Sequence, residues 1–121
     1  MEELRWIDRK EMNRPILVVA LKGLFDAAEA ATAGVDLLIA KHEASLVAEI
    51  DPESFFNFQE ERPIVRLGEH GREIEWPSNK IWGAQCPSGN HDLLLLSGIE
   101  PHLRWKTFSE SLTEVARLMD V

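Results

Sequence analysis

The sequence predicts an α/β fold: a mixed sheet with flanking helices and a β-hairpin inserted in its middle. Three observations lead there. Pro15 to Ile50 holds an apolar β-branched run, a helical stretch and a second apolar run, which is the length of a βαβ unit. Short alternating segments separated by Gly and Pro fill residues 63–84. The apolar run DLLLL, Asp92 to Leu96, is then followed by a helical repeat that continues to the last residues.

PILVVAL (Pro15 to Leu21) is rich in β-branched and aliphatic residues, as expected of a strand covered on both faces. Gly23 breaks it. From Leu24 to about His42 the pattern becomes helical, with Leu24, Ala28, Ala31, Val35 and Leu38 on one stripe. SLVAEI (Ser45 to Ile50) reads as the next strand, and Asp51-Pro52 ends it. PIVRL (Pro63 to Leu67) and REIEW (Arg72 to Trp76) form a hairpin across Gly68 to Gly71, and Pro77-Ser78-Asn79 turns into a third strand, KIWGA (Lys80 to Ala84). Thr107, followed three positions on by Glu110, has the spacing of a capping box and predicts a helix start. Phe108, Leu112, Val115 and Met119 then recur at helical spacing. Residues 1–121 are read as a single α/β domain, and two helices cover such a sheet thinly. The expectation is that the chain is the N-terminal part of a larger fold, or that it buries the remaining face in an oligomer.

Thirteen Lys and Arg against twenty-one Asp and Glu give a net charge of −8. That balance argues against nucleic acid and anionic membranes as partners, since both recognise a basic face. No apolar run approaches the roughly 20 residues that span a bilayer, the opening MEELRWIDRKEMN lacks the apolar centre of a secretory signal, and the single cysteine, Cys86, permits no internal disulfide. A cytoplasmic protein is expected.

Motifs for chemistry are sparse. Gly23 stands at a strand-to-helix turn, but neither GxGxxG nor GxxxxGK[ST] is present, and Asp26 in the first turn would repel a phosphate. His42, His70, His91 and His102 show no metal-ligand spacing. No catalytic residue, cofactor or metal is assigned. Phe55, Phe56 and Phe58 are expected to plug the gap between hairpin and sheet, and Arg62 is held extended by Pro63. In open α/β sheets ligands bind beyond the carboxyl ends of the strands, which makes Gly23, Asp26, Glu100 and Arg104 the candidate ligand-binding residues. There Glu100 supplies an acid and Arg104 an anion clamp; the competing reading is that Glu100 and Arg104 pair with each other or with backbone, as a latch, while Trp105 packs under the loop.

Three blocks carry a resemblance: DPESFFNFQEERPIVRL, REIEWP (Arg72 to Pro77) and LLLLSGIEPHLRWKTF. With RPILVVALKGLFDAAEAA before them, they resemble the proteasome assembly chaperone 2 family, notably its actinobacterial members. Those proteins have an aromatic block ending in RP, an I-x-W-P strand and a G-x-E-P-x-x-R-W-x-x-F block. Carried over residue by residue, the family's pattern falls on Phe55, Phe56, Phe58, Arg62, Pro63, Trp76, Glu100, Pro101, Arg104 and Trp105. Departures are Phe56-Asn57 where the family has Tyr-Asp, and Leu24 and Ala28 in the first turn. The family's members usually extend well beyond the helix in which this sequence stops. Some proteasome-binding chaperones end in a hydrophobic-Tyr-any tail, whereas this chain ends Met119-Asp120-Val121 and has no Tyr.

The resemblance implies an α/β/α sandwich similar to the phosphorylase/hydrolase-like fold, of which this chain would be the N-terminal half. It implies a protein-interaction module without catalytic activity, with proteasome subunits or a related family member as partners and a homo-oligomeric state. The alternative is a small-molecule (nucleoside-like or phosphometabolite) binding protein or hydrolase that uses the strand-end pocket.

Overall fold

The computed structural model describes residues 1–23 and 29–121. Leu24 and Ala28 of the predicted stripe, and Asp26 of the predicted strand-end site, lie outside the described residues. In chain order the elements are β1 (Leu4–Trp6), β2 (Ile16–Lys22), α1 (Ala30–Lys41), β3 (Ser45–Ile50), β4 (Ile64–Gly68), β5 (Gly71–Glu75), β6 (Asn79–Ala84), β7 (Leu93–Ile99) and α2 (Trp105–Leu118). Five strands form one sheet in the order β1-β3-β6-β7-β2, and β4 and β5 form a separate two-stranded hairpin.

The sheet is mixed, as the sequence predicts. β2 and β7 run parallel, with Leu17 opposite Leu94 and Val19 opposite Leu96, while β6 is antiparallel to both β7 and β3. β2 and β3 therefore point the same way, but β7 and β6 lie between them. β1 is an addition that the sequence reading missed. Three residues are too few for a period of two to register, yet Leu4 is buried and pairs opposite Ile50.

Side chains alternate across the sheet, so the apolar run of β7 is divided between two cores. Leu94 and Leu96 join Val47, Ile50, Phe55, Phe108, Val115 and Met119 on the α2 side. Leu95 joins Ala20 and Val35 on the α1 side, with Leu38 and Trp82 against them. This places one helix on each face and buries β7 from both sides, whereas β2, the strand expected to be covered on both faces, lies at the sheet edge with Ile16 and Val19 exposed. A bulge between Leu46 and Ala48 lets both Val47 and Ala48 reach the α2 core despite being consecutive.

The repeat of α2 is as predicted: Phe108, Val115 and Met119 are buried and Leu112 packs beside them. Its start is not. The helix begins at Trp105, and Arg104, with φ 57° and ψ 41°, occupies the cap position without a side-chain cap. Thr107 is already in the first turn, where its carbonyl accepts the Ser111 hydroxyl, so the capping box is not formed. In α1, Val35 and Leu38 face the sheet as expected, whereas Ala31 is exposed and Thr32 is buried instead. Among the described residues no helix is long and apolar enough to cross a membrane.

Candidate functional site

β2 and β7 end side by side, and the Glu100 N–H donates to the Lys22 carbonyl at 2.9 Å. That bond carries the parallel pairing one step beyond the strands and brings Gly23 and Glu100 together. The Glu100 carboxylate lies on Gly23 where a Cβ would otherwise stand, so the residue there has to be glycine for the acid to keep its place. Arg104 does not join them. Its Nη2 donates to Glu3 Oε1 at 3.3 Å, beside β1 at the other edge of the sheet, and its guanidinium lies 5.8 Å from the centroid of the Phe55 ring. No ion pair links Glu100 to Arg104. Trp105 is 48% exposed and meets Phe108 edge-on rather than packing under the loop.

The aromatic block divides its work. Phe55 and Phe56 are buried, Phe55 edge-on to Phe108 at 5.7 Å and Phe56 edge-on to His102 at 5.6 Å. Phe58 meets Trp76 at 5.1 Å, tying the foot of the hairpin to the loop before it. The backbone joins in: the Phe55 carbonyl accepts the N–H groups of His102 and Leu103, and the Asn57 N–H donates to His102 Nδ1 at 2.7 Å. The FFN and PHL segments, about 45 residues apart, thus form one clasp over α2. Pro101, buried within it, holds this turn.

Two further features were not legible in the sequence as site elements. The first is the hairpin as an arm. Every residue of β5 is exposed, and so are Ile64 to Leu67 of β4. Val65 pairs with Ile74 and Leu67 with Arg72, which puts Val65, Leu67 and Ile74 on one face at 63%, 87% and 60% exposure. Two strands alone are marginal in water, so an apolar face left open on such a hairpin is costly unless something covers it.

The second is a groove of about 400 Å³ under the arm's other face, that of Ile64 and Glu75. Its floor is the α1 side of the sheet, where Lys80 and Trp82 of β6 stand beside Ser97 and Ile99 of β7 and Lys22 of β2. Arg62 and Trp76 close it from the hairpin foot. Lys22 pairs with Glu29 at 3.3 Å and Glu75 with Arg66, while the Lys80 ammonium has no hydrogen bond or ion pair among the described residues. The alternation Lys80, Trp82 in KIWGA was the available signal, but only the sheet order shows what faces it. Among the described residues no three His, Cys, Asp or Glu side chains converge as a metal site would require.

No curated protein matches the chain; solved structures do. A PAC2 family protein from Streptomyces avermitilis is 33% identical and superposes with a TM-score of 0.84, covering 88% of this chain and 46% of its own. A proteasome-assembly chaperone homologue from Mycobacterium tuberculosis is 34% identical with a TM-score of 0.79, covering 87% and 45% respectively. A second M. tuberculosis protein, of unknown function, shares the fold at a TM-score of 0.81 and 23% identity, over 100% of this chain and 45% of its own. The chain thus spans a little under half the length of each. The sequence profile of the PAC2 family matches residues 20–121, which takes in the Gly23 turn, the aromatic clasp and the whole of α2. With the family profile matching residues 20–121 and solved relatives 33% and 34% identical sharing the fold, the chain belongs to the PAC2 family.

Proposed function

We propose that the chain is a non-enzymatic protein-interaction module acting in proteasome assembly, and that the outer face of the β4–β5 arm meets the partner. The observation that carries this reading is the apolar set Val65, Leu67 and Ile74 on a hairpin that the other described residues leave uncovered. A contiguous exposed apolar set marks an interaction surface, and Arg72, opposite Leu67, adds a charged group on the same face. A relative of 34% identity is described as a proteasome-assembly chaperone homologue, which makes proteasome subunits the partner class to test first. In this reading the protein is cytoplasmic and also self-associates. Ile16 and Val19, exposed on edge strand β2, supply apolar surface for a second copy.

The test is co-purification with actinobacterial proteasome α-subunits. The native chain should enrich them, and Leu67→Asp and Ile74→Asp should each abolish enrichment while leaving the thermal unfolding midpoint within about 2 °C, because both side chains are exposed. No enrichment by the native chain counts against the proposal, as does enrichment that survives both substitutions.

A further inference from the structure

The groove beneath the arm is a separate matter from the arm's outer face. Its volume of about 400 Å³ lies within the roughly 300–1,000 Å³ typical of small-molecule sites. Its charge runs against that of the molecule. In a chain of net charge −8, three cations, Lys22, Arg62 and Lys80, line it together with two acids, Glu61 and Glu75. Glu75 is neutralised by Arg66 and Lys22 by Glu29. Arg62 uses its Nε toward the Gln59 carbonyl at 3.4 Å, which leaves its terminal nitrogens, and the Lys80 ammonium has no partner among the described residues. Two donor-rich cations, Lys80 on the floor and Arg62 at the hairpin foot, suit a phosphate or carboxylate. Two indoles complete the groove: Trp82, half-buried with its other face in the α1 core, and Trp76, anchored edge-on by Phe58. Rings fixed from behind offer a flat apolar surface at little entropic cost.

We propose that this groove binds a planar aromatic anion, its ring against Trp76 and Trp82 and its phosphate or carboxylate on Arg62 and Lys80. Gly23, Glu100 and Arg104 take no part, since none of them lines the groove. The site does not depend on the protein-docking reading: it uses the arm's inner face, and Leu67→Asp and Ile74→Asp leave it intact.

Isothermal titration with AMP, anthranilate, adenosine and inorganic phosphate tests this. AMP or anthranilate should bind saturably, and adenosine and inorganic phosphate about tenfold more weakly or worse, because each lacks one half of the recognition. Binding of AMP alone identifies a phosphate ligand and of anthranilate alone a carboxylate ligand; either supports the site. Lys80→Ala and Arg62→Ala should each raise Kd about tenfold, equal to about 1.4 kcal/mol. Arg62 sits on an exposed loop, so its substitution remains informative if Lys80→Ala fails to fold. The proposal is overturned if neither aromatic anion binds, if adenosine binds as tightly as AMP, or if Kd is unchanged in both variants.

Discussion

Asn79 is where β6 and β7 part company. Fully buried, it accepts the Ile99 N–H on its side-chain oxygen at 2.8 Å and donates its amide to the Ile99 carbonyl at 3.0 Å, so a side chain completes the ladder that the backbone leaves off. Asn79→Ala would orphan both backbone groups, at about 1–3 kcal/mol each; urea unfolding should show a lower midpoint with unchanged slope. The same geometry dictates Gly98, because a Cβ there would land on the Asn79 side-chain oxygen, which is held from both sides. Gly98→Ala should therefore lower stability, and an unchanged midpoint in a denaturant series would refute this account. Asp92 works in a similar way, its buried carboxylate accepting the N–H groups of Asn13 at 2.7 Å and Cys86 at 2.8 Å. None of these roles was legible in the sequence, where Asn79 read as a turn residue and Asp92 as the start of a strand. A buried side chain bonded to distant backbone leaves no local periodicity to read.

The strands and helices were far more legible. β2, β3, β6, β7, the hairpin and the apolar stripe of α2 all follow from periodicity and turn residues, because each buries a face in the way its sequence alternates. What escaped was set by tertiary contacts. β1 is held by its pairing with β3, and the first turn of α2 is anchored by the clasp that runs from Phe55 to His102 rather than by Thr107. Phe108→Ala should cost about 3–5 kcal/mol, since it removes a ring packed edge-on against both Phe55 and Trp105. Thr107→Ala, by contrast, should leave the unfolding midpoint nearly unchanged. The candidate ligand set was only half legible: the parallel ends of β2 and β7 bring Gly23 and Glu100 together, but Arg104 faces Glu3 because α2 starts with a left-handed residue that turns it toward β1.

Among the described residues two helices divide a five-stranded sheet between them, and the part of the α1 face that these residues leave uncovered becomes the groove. Light scattering should report a mass above the 13.7 kDa of one chain if edge strand β2 self-associates, and Val19→Lys should return it to that mass. The position of β2 also governs how the chain reaches this state. Among the described residues its only neighbour in the sheet is β7, 77 positions later, so Ile16 to Lys22 must wait for most of the chain before it can pair. Closing so long a loop is slow. In the interval ILVVAL is an uncharged, β-prone segment of the kind that stacks with copies of itself. Refolding yield should therefore fall as protein concentration rises, and Val19→Thr should restore it at little cost to the native state. The strand that seals one edge of the finished sheet is the one most exposed to aggregation while the chain is being made.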